Sequence, residues 1–309
     1  MRKVFCIGEL LIDLMGQPGM GFAKSNQFIK LAGGAPANVS AAISKLGGKA
    51  YFMGQVGSDG FGEFLIASMN ELGINTSLIK RGGRTTLALV ALDKRGERDF
   101  EFYRGSDGDY RVCDLDLSCI DNSDIIHFGS ATALLGGELR NSYLQLLEIA
   151  DSNGNLISFD PNYREDLVKP ELLDDYIKDC KMFISLANLV KLSEIEAQLI
   201  SGEDELSVAA AYLRHVGAKN VVITLGEKGT LLCNSDGTRI IPSRKIQQVD
   251  STGAGDAFMG GLLFKLAQHP DPNWDSFVAF ANLVGAFSCT NYGAIKSLPT
   301  MRQFLEFVS

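Results

Sequence analysis

An α/β fold, with a mostly parallel sheet covered by helices and a small β-sheet set outside it, is what this sequence predicts. Three observations carry that expectation. Short apolar runs of strand length alternate with longer stretches whose apolar residues recur at spacings of three and four, the rhythm of strand-helix-strand units. Two stretches, Met15 to Leu31 and Thr85 to Tyr103, break that rhythm. The chain has 309 residues, of which 46% are hydrophobic and 21% charged, ordinary globular proportions that suffice for one large domain.

In chain order, the predicted strands are Val4 to Ile7, Ala50 to Val56, Thr86 to Leu92, Asp124 to Phe128, Leu156 to Phe159, Met182 to Ser185, Val221 to Leu225 and Thr230 to Cys233. Each is a short apolar run bounded by turn formers. Helical spacing covers Ala35 to Leu46, Gly62 to Leu72, Leu139 to Asp151, Leu206 to Val216, Ala257 to Ala267 and Ser276 to Thr290. Thr85 to Tyr103 reads as strand, turn at Lys94-Arg95-Gly96-Glu97, and strand, hence a hairpin. No repeat, low-complexity tract or linker marks a domain boundary.

Several function classes are disfavoured at once. A net charge of -8 leaves no global positive field for nucleic acid. No apolar run reaches the roughly 18 residues of a membrane span, and Met1 to Gly8 lacks a cleavage site, so a cytoplasmic protein without a membrane partner is expected. The six cysteines contain no CxxC pair and read as buried free thiols. Three histidines, far apart in sequence, suggest neither a metal site nor a catalytic triad.

The strongest chemical signal lies near the C-terminus. Gly253-Ala254-Gly255 runs straight into the helical stretch Ala257 to Phe264. A helix start offers N–H groups without intrahelical partners and partial positive charge, and small residues let a phosphate come close. Asp256 stands inside this cradle. A carboxylate in an anion site makes chemical sense when it takes the proton of a hydroxyl attacking phosphorus. An aspartate that only stabilises the helix dipole is the alternative. A dinucleotide fingerprint would need glycine where Phe258 stands, and no GxxxxGK[ST] P-loop occurs. A second glycine-rich turn, Gly33-Gly34-Ala35-Pro36-Ala37-Asn38, opens the first long helix. Pro36 suits a helix start, and the Asn38 amide suits sugar hydroxyls.

Together, Gly33 to Asn38 and Asp250-Ser251-Thr252-Gly253-Ala254-Gly255-Asp256-Ala257-Phe258 resemble the two signatures of the ribokinase-like (PfkB) carbohydrate kinases. Gly8 to Asp13, Gly54 to Gly62 and Phe159-Asp160-Pro161-Asn162-Tyr163-Arg164 look like further family segments in the same order, so the resemblance spans essentially the whole chain. It implies a ribokinase-like three-layer sandwich, one kinase domain over residues 1–309, and a β-sheet lid contributed by roughly residues 14–32 and 85–104. It also implies ATP as donor, a sugar as acceptor and Mg²⁺ as cofactor.

Matched residue by residue, Asp256 corresponds to the family's base and Gly253, Ala254 and Gly255 to its anion hole. Asp13, Gly33, Gly34 and Asn38 correspond to sugar contacts. Thr224, Gly226 and Asn282, with Ala254 and Gly255, correspond to the nucleotide pocket. Where many members read Asn-x-x-Glu, this chain has Ser193-Glu194-Ile195-Glu196. Glu196 is expected to organise Mg²⁺ through water, unless these glutamates form a solvated helix face. Asp250, Thr252, Gly293 and Ser297 resemble a monovalent-cation site, which makes K⁺ stimulation an expectation. Lids of this family often pair, so a homodimer through the lid is also expected.

Phe102-Tyr103-Arg104 and Phe159 to Arg164 look like the fructokinase and 2-keto-3-deoxygluconate kinase branches. Fructose is the first expectation, because Asp107 and Asp109 beside Arg104 would repel an acid. The aldonate is the runner-up, since Tyr103, Arg104 and Arg164 could grip its carboxylate. A catalytically silent sugar sensor on the same fold is the alternative of a different class.

Overall fold

The computed structural model describes residues 1–17, 19–92 and 98–309, so the turn Lys94-Arg95-Gly96-Glu97 lies outside the described residues. Thirteen strands occur among them: β1 (Lys3–Ile7), β2 (Leu11–Gly16), β3 (Phe28–Gly33), β4 (Lys49–Val56), β5 (Asn75–Arg81), β6 (Leu87–Leu92), β7 (Arg98–Tyr103), β8 (Ile125–Phe128), β9 (Leu156–Phe159), β10 (Leu189–Ser193), β11 (Asn220–Thr224), β12 (Thr230–Asn234) and β13 (Gly237–Ile241). Nine form a sheet in the order β13-β12-β11-β10-β9-β8-β1-β4-β5. Its pairings from β11 through to β5 are parallel, and β12 and β13 join antiparallel at one edge.

The central strands are apolar on both faces, as a parallel sheet covered by helices requires. Within β1, Phe5 and Ile7 enter one core cluster while Val4 and Cys6 enter the other. That alternation splits the core into two layers. One holds apolar residues of the helices Glu138–Asn153, Leu173–Leu186, Glu194–Ser201 and Leu206–Val216; the other holds those of Ala35–Lys45, Gly60–Glu71, Ala254–Gln268 and Trp274–Ser288. The result is the ribokinase-like three-layer sandwich.

One predicted strand is not a strand. Met182 to Ser185 lies inside the helix Leu173–Leu186, and the strand follows at β10. Lys191 interrupts the apolar run of β10 and hides it from a hydropathy reading; burial of that charge becomes acceptable through Asp160, 2.9 Å away. Of the cysteines, all free, Cys6, Cys180 and Cys233 are buried as expected, but Cys113 is exposed.

The remaining strands form a second sheet in the order β3-β2-β6-β7. Its strands begin at Leu11 and end at Gly33 in the first pair, wider than the expected 14–32, and cover Leu87–Leu92 and Arg98–Tyr103 in the second. Register aligns Leu31, Asp13, Ala88 and Phe102 on one face. Tyr103 belongs to the adjacent row with Ile12 and Leu87 and therefore points from the opposite face. In the main sheet, connections run one way from β1 to β4 and the other way from β8, so a crevice opens at the carboxyl ends of these strands.

Candidate active site

The helix Ala254–Gln268 starts abruptly because Gly253 is left-handed, at φ 75°. A Cβ there would stand 2.8 Å from the Ala294 Cβ, so conformation and space both demand glycine. First-turn N–H groups of such a helix have no intrahelical acceptor. One is already engaged: Ala254 N–H closes a turn on the Ser251 carbonyl at 3.1 Å.

Asp256, in that first turn, is 6% exposed. The Asn38 amide donates to its Oδ2 at 2.8 Å, joining the two glycine-rich segments across 218 residues of sequence. Burial pushes the Asp256 carboxyl up to about 6, against the pull of Asn38, Arg164 and Lys191. Asn38 Oδ1 is buried without a hydrogen-bond partner, an acceptor aimed at nothing the protein supplies. On the facing lid strand, a Cβ on Gly33 would fall 2.0 Å from Asp13 Oδ2, so the missing side chain makes room for that carboxylate.

Lys191 and Asp160 were not among the residues assigned a role from sequence. The Lys191 ammonium is buried against Asp160 at 2.9 Å, and a Cβ on Gly255 would come 3.0 Å from it. A buried cation thus lies directly under the small-residue loop. Its attraction to Asp160, Glu196 and Asp256 raises its own pKa despite burial. The signal in the sequence was a single charge inside Leu189-Val190-Lys191-Leu192.

Glu196 is buried and not part of a solvated face, whereas Glu194 is exposed. Ser193 and Glu196 form a capping box, Glu196 accepting from Ser193 N–H at 2.6 Å and from its hydroxyl at 2.8 Å. The other Glu196 oxygen takes the Tyr163 N–H at 2.8 Å. This pins the 160–164 loop, where Asn162 adopts φ 49° and accepts from Arg164 at 2.9 Å. Arg164 itself is exposed at the site, near enough to Asp256 to lower its pKa.

Other expected residues are placed as follows. Thr224 ends β11, its hydroxyl donating to Leu192 O at 3.3 Å, and Gly226 opens the short turn that follows. Asn282 is fully engaged, accepting from Thr230 at 2.6 Å and donating to Ile241 O at 3.0 Å, so its amide ties strands together. Asp250 accepts from Thr252 N–H and Gly293 N–H, both at 2.9 Å, which brings those three residues together and holds its carboxyl below the usual range. The Ser297 hydroxyl donates to Ala294 O at 2.8 Å. Tyr103, expected at the sugar, is 57% exposed on the lid face opposite Asp13. Arg104 lines a cleft of about 550 Å³ with Phe100, Phe102, Leu135, Leu167 and Lys169. Its guanidinium is anchored on Thr132 O at 3.0 Å and Gly136 O at 3.1 Å.

The model of the pfkB family of carbohydrate kinases matches residues 1–301. Fructokinase-1 of Oryza sativa subsp. japonica is 37% identical, over 99% of this chain and 97% of that protein. Among solved structures, aminoimidazole riboside kinase from Salmonella enterica, complexed with aminoimidazole riboside and an ATP analog, superposes with a TM-score of 0.89 at 28% identity, covering 100% of both chains. A fructokinase double mutant from Vibrio cholerae O395, in fructose, ADP and potassium ion bound form, gives 0.87 at 28% identity over 100% of this chain and 99% of that one.

Proposed function

This chain belongs to the pfkB family of carbohydrate kinases, and on that premise we propose that it transfers the γ-phosphoryl group of ATP to the C6 hydroxyl of D-fructose. ATP-dependent sugar kinase activity follows from the family and from full-length similarity to fructokinases. Fructose 6-phosphate as product is the finer reading. The observation that carries the transfer is the joined pair Asn38 and Asp256: a buried carboxylate held to about 6, beside an amide oxygen with no partner of its own; similarity to fructokinases supports the choice of sugar.

In this reading Asp256 takes the proton of the attacking hydroxyl as that oxygen moves in line on phosphorus. First-turn N–H groups at Gly253 and Gly255, with the Lys191 ammonium behind them, hold the charge that builds on the phosphoryl group. Asp13, Gly33, Gly34 and Asn38 orient the sugar; Thr224 and Gly226 border the nucleotide. Mg²⁺ would neutralise phosphate charge. Held mainly by the nucleotide phosphates and by water, it would need few ligands from the protein. Glu196, with both oxygens occupied, shapes the surrounding loop and would meet the metal only through water. Asp250, Thr252, Gly293 and Ser297 would border a K⁺ ion. Pairing through the lid remains part of the proposal.

Fructose is favoured over an aldonate because a carboxylate, that of Asp107, already stands beside Arg104. Arg104 is anchored on two carbonyls, with its Nε 3.7 Å from the buried Asp107. The test is ADP release with MgATP, screened over fructose, 2-keto-3-deoxygluconate, ribose and aminoimidazole riboside. Fructose should show the highest kcat/KM; a preference for any of the others refutes the assignment of substrate.

A further inference from the structure

Among the described residues the chain passes between the central sheet and the lid four times: at Gly8 to Leu10, at Gly34, at Gly82 to Thr86 and at Arg104 to Gly105. A single run of buried polar contacts touches all four passages. Glu9, 1% exposed, sits in the first. It accepts from Ala35 N–H, just beyond the second, at 3.0 Å, and from the Ser130 hydroxyl. Ser130 Oγ in turn accepts from the Thr132 N–H at 3.1 Å, and the Thr132 hydroxyl donates to Asp107 at 2.8 Å. The other Asp107 oxygen accepts from the Thr86 hydroxyl of the third passage. Thr86 in turn accepts from the Gly105 N–H of the fourth at 2.8 Å.

Every hydroxyl in this run has one proton to give, and each direction is set by a carboxylate. Ser130 gives its proton to Glu9, while Thr132 and Thr86 give theirs to Asp107. Removing one member leaves a buried donor or acceptor without its partner, so the contacts support one another.

We propose that Glu9 is a positioning residue for the sugar, one end of a buried network through which the four lid passages keep a single arrangement. Glu9 touches no reacting atom. It fixes the Ala35 N–H, and with it the Gly33-Gly34 turn and the helix start that carries Asn38. Thr86 and Asp107 fix the entry to β6 and the exit from β7, whose Phe100 and Phe102 wall the cleft. The nucleotide end, built on β10, β11 and the helix Ala254–Gln268, shares none of these contacts.

This inference rests on the sugar-kinase reading above, so its test has one arm that depends on turnover and one that does not. In the full-length protein, Glu9→Ala and Thr86→Val should each raise the fructose KM about 10-fold, the scale for losing a buried hydrogen bond to a charged group. KM for ATP should stay unchanged. Glu9→Gln, which still accepts from Ala35 N–H, should recover most of the loss, and the double variant should fall well short of the product of the single effects. An unaltered fructose KM, or an ATP KM rising in step, overturns the proposal. If Glu9→Ala does not fold, Thr86→Val, a hydroxyl exchanged for a methyl, decides. Without substrate, hydrogen exchange should quicken in Thr86→Val at the Ala35 amide, which Glu9 holds; unchanged exchange there also overturns it. A wild type that phosphorylates no fructose refutes the choice of sugar and leaves the exchange arm to judge the network.

Discussion

At Asp256, burial holds the proton on and the neighbouring amide and cations draw it off, leaving the carboxyl at about 6. Two outcomes follow. Asp256→Asn keeps shape and removes the base, so kcat should drop by about 10²- to 10⁴-fold in a coupled ADP assay. Stability should move the other way. The folded protein holds this proton to about 6 against an ordinary aspartate value of 3.8, so the group's stabilising contribution is complete below 3.8 and lost as pH rises through 6. At neutral pH the ionised carboxylate therefore costs stability, and the Asn variant should melt no lower than wild type. A lower melting temperature would show that Asp256 serves the helix instead. Lys191→Met withdraws a cation that favours the ionised base, so the acid limb of kcat/KM should shift to higher pH, and the protein should lose roughly 3 to 5 kcal/mol from stranding Asp160. An unmoved limb would detach Lys191 from the base. Asp256 was legible in sequence because its neighbours are consecutive and small. Lys191 was not, since its function depends on Asp160, just past the end of β9, and hydropathy reads a lone charge in an apolar run as an interruption.

Elements were readable in proportion to how fully their own residues determine them. The helix Ala254–Gln268 announces itself through Gly253-Ala254-Gly255 and an apolar run. By contrast β5, an edge strand reading Asn-Thr-Ser-Leu-Ile-Lys-Arg, buries only Leu78 outright and carries little period-two signal. Met182 to Ser185 misled because apolar neighbours at the end of an amphipathic helix look like a short strand. The start of the helix Ala254–Gln268 allows a direct test. Gly253→Ala places a side chain at φ 75° and against Ala294, a strain of about 1 to 2 kcal/mol for a non-glycine residue in this region. Calorimetry should register that loss, and kcat should fall as the first-turn amides shift. A variant with unchanged kcat would remove this loop from the phosphoryl site.

Over the whole molecule, strand-helix alternation was enough to predict a parallel sheet and to isolate the stretches that build the lid. The order of the strands and the meeting of Glu9, Asp107 and Ser130 were not readable, because they depend on packing between segments far apart in sequence. The cation reading belongs to this scale, since Asp250 ties the segment before the helix Ala254–Gln268 to Gly293 beyond the following one. Turnover in K⁺ should exceed turnover in tetramethylammonium; equal rates would dismiss the site. A different consequence follows from the Asn38 to Asp256 bond, which spans 218 residues. On a ribosome adding about 5 to 20 residues per second, the partner of Asn38 emerges roughly 10 to 40 seconds later. Throughout that interval the side of the helix Ala35–Lys45 that packs on Ala254–Gln268 has no cover, although β1 and β4 already line its other side. Such a nascent chain would carry a naked apolar surface until residues 254–268 were made, a natural target for chaperones that guard unfinished proteins.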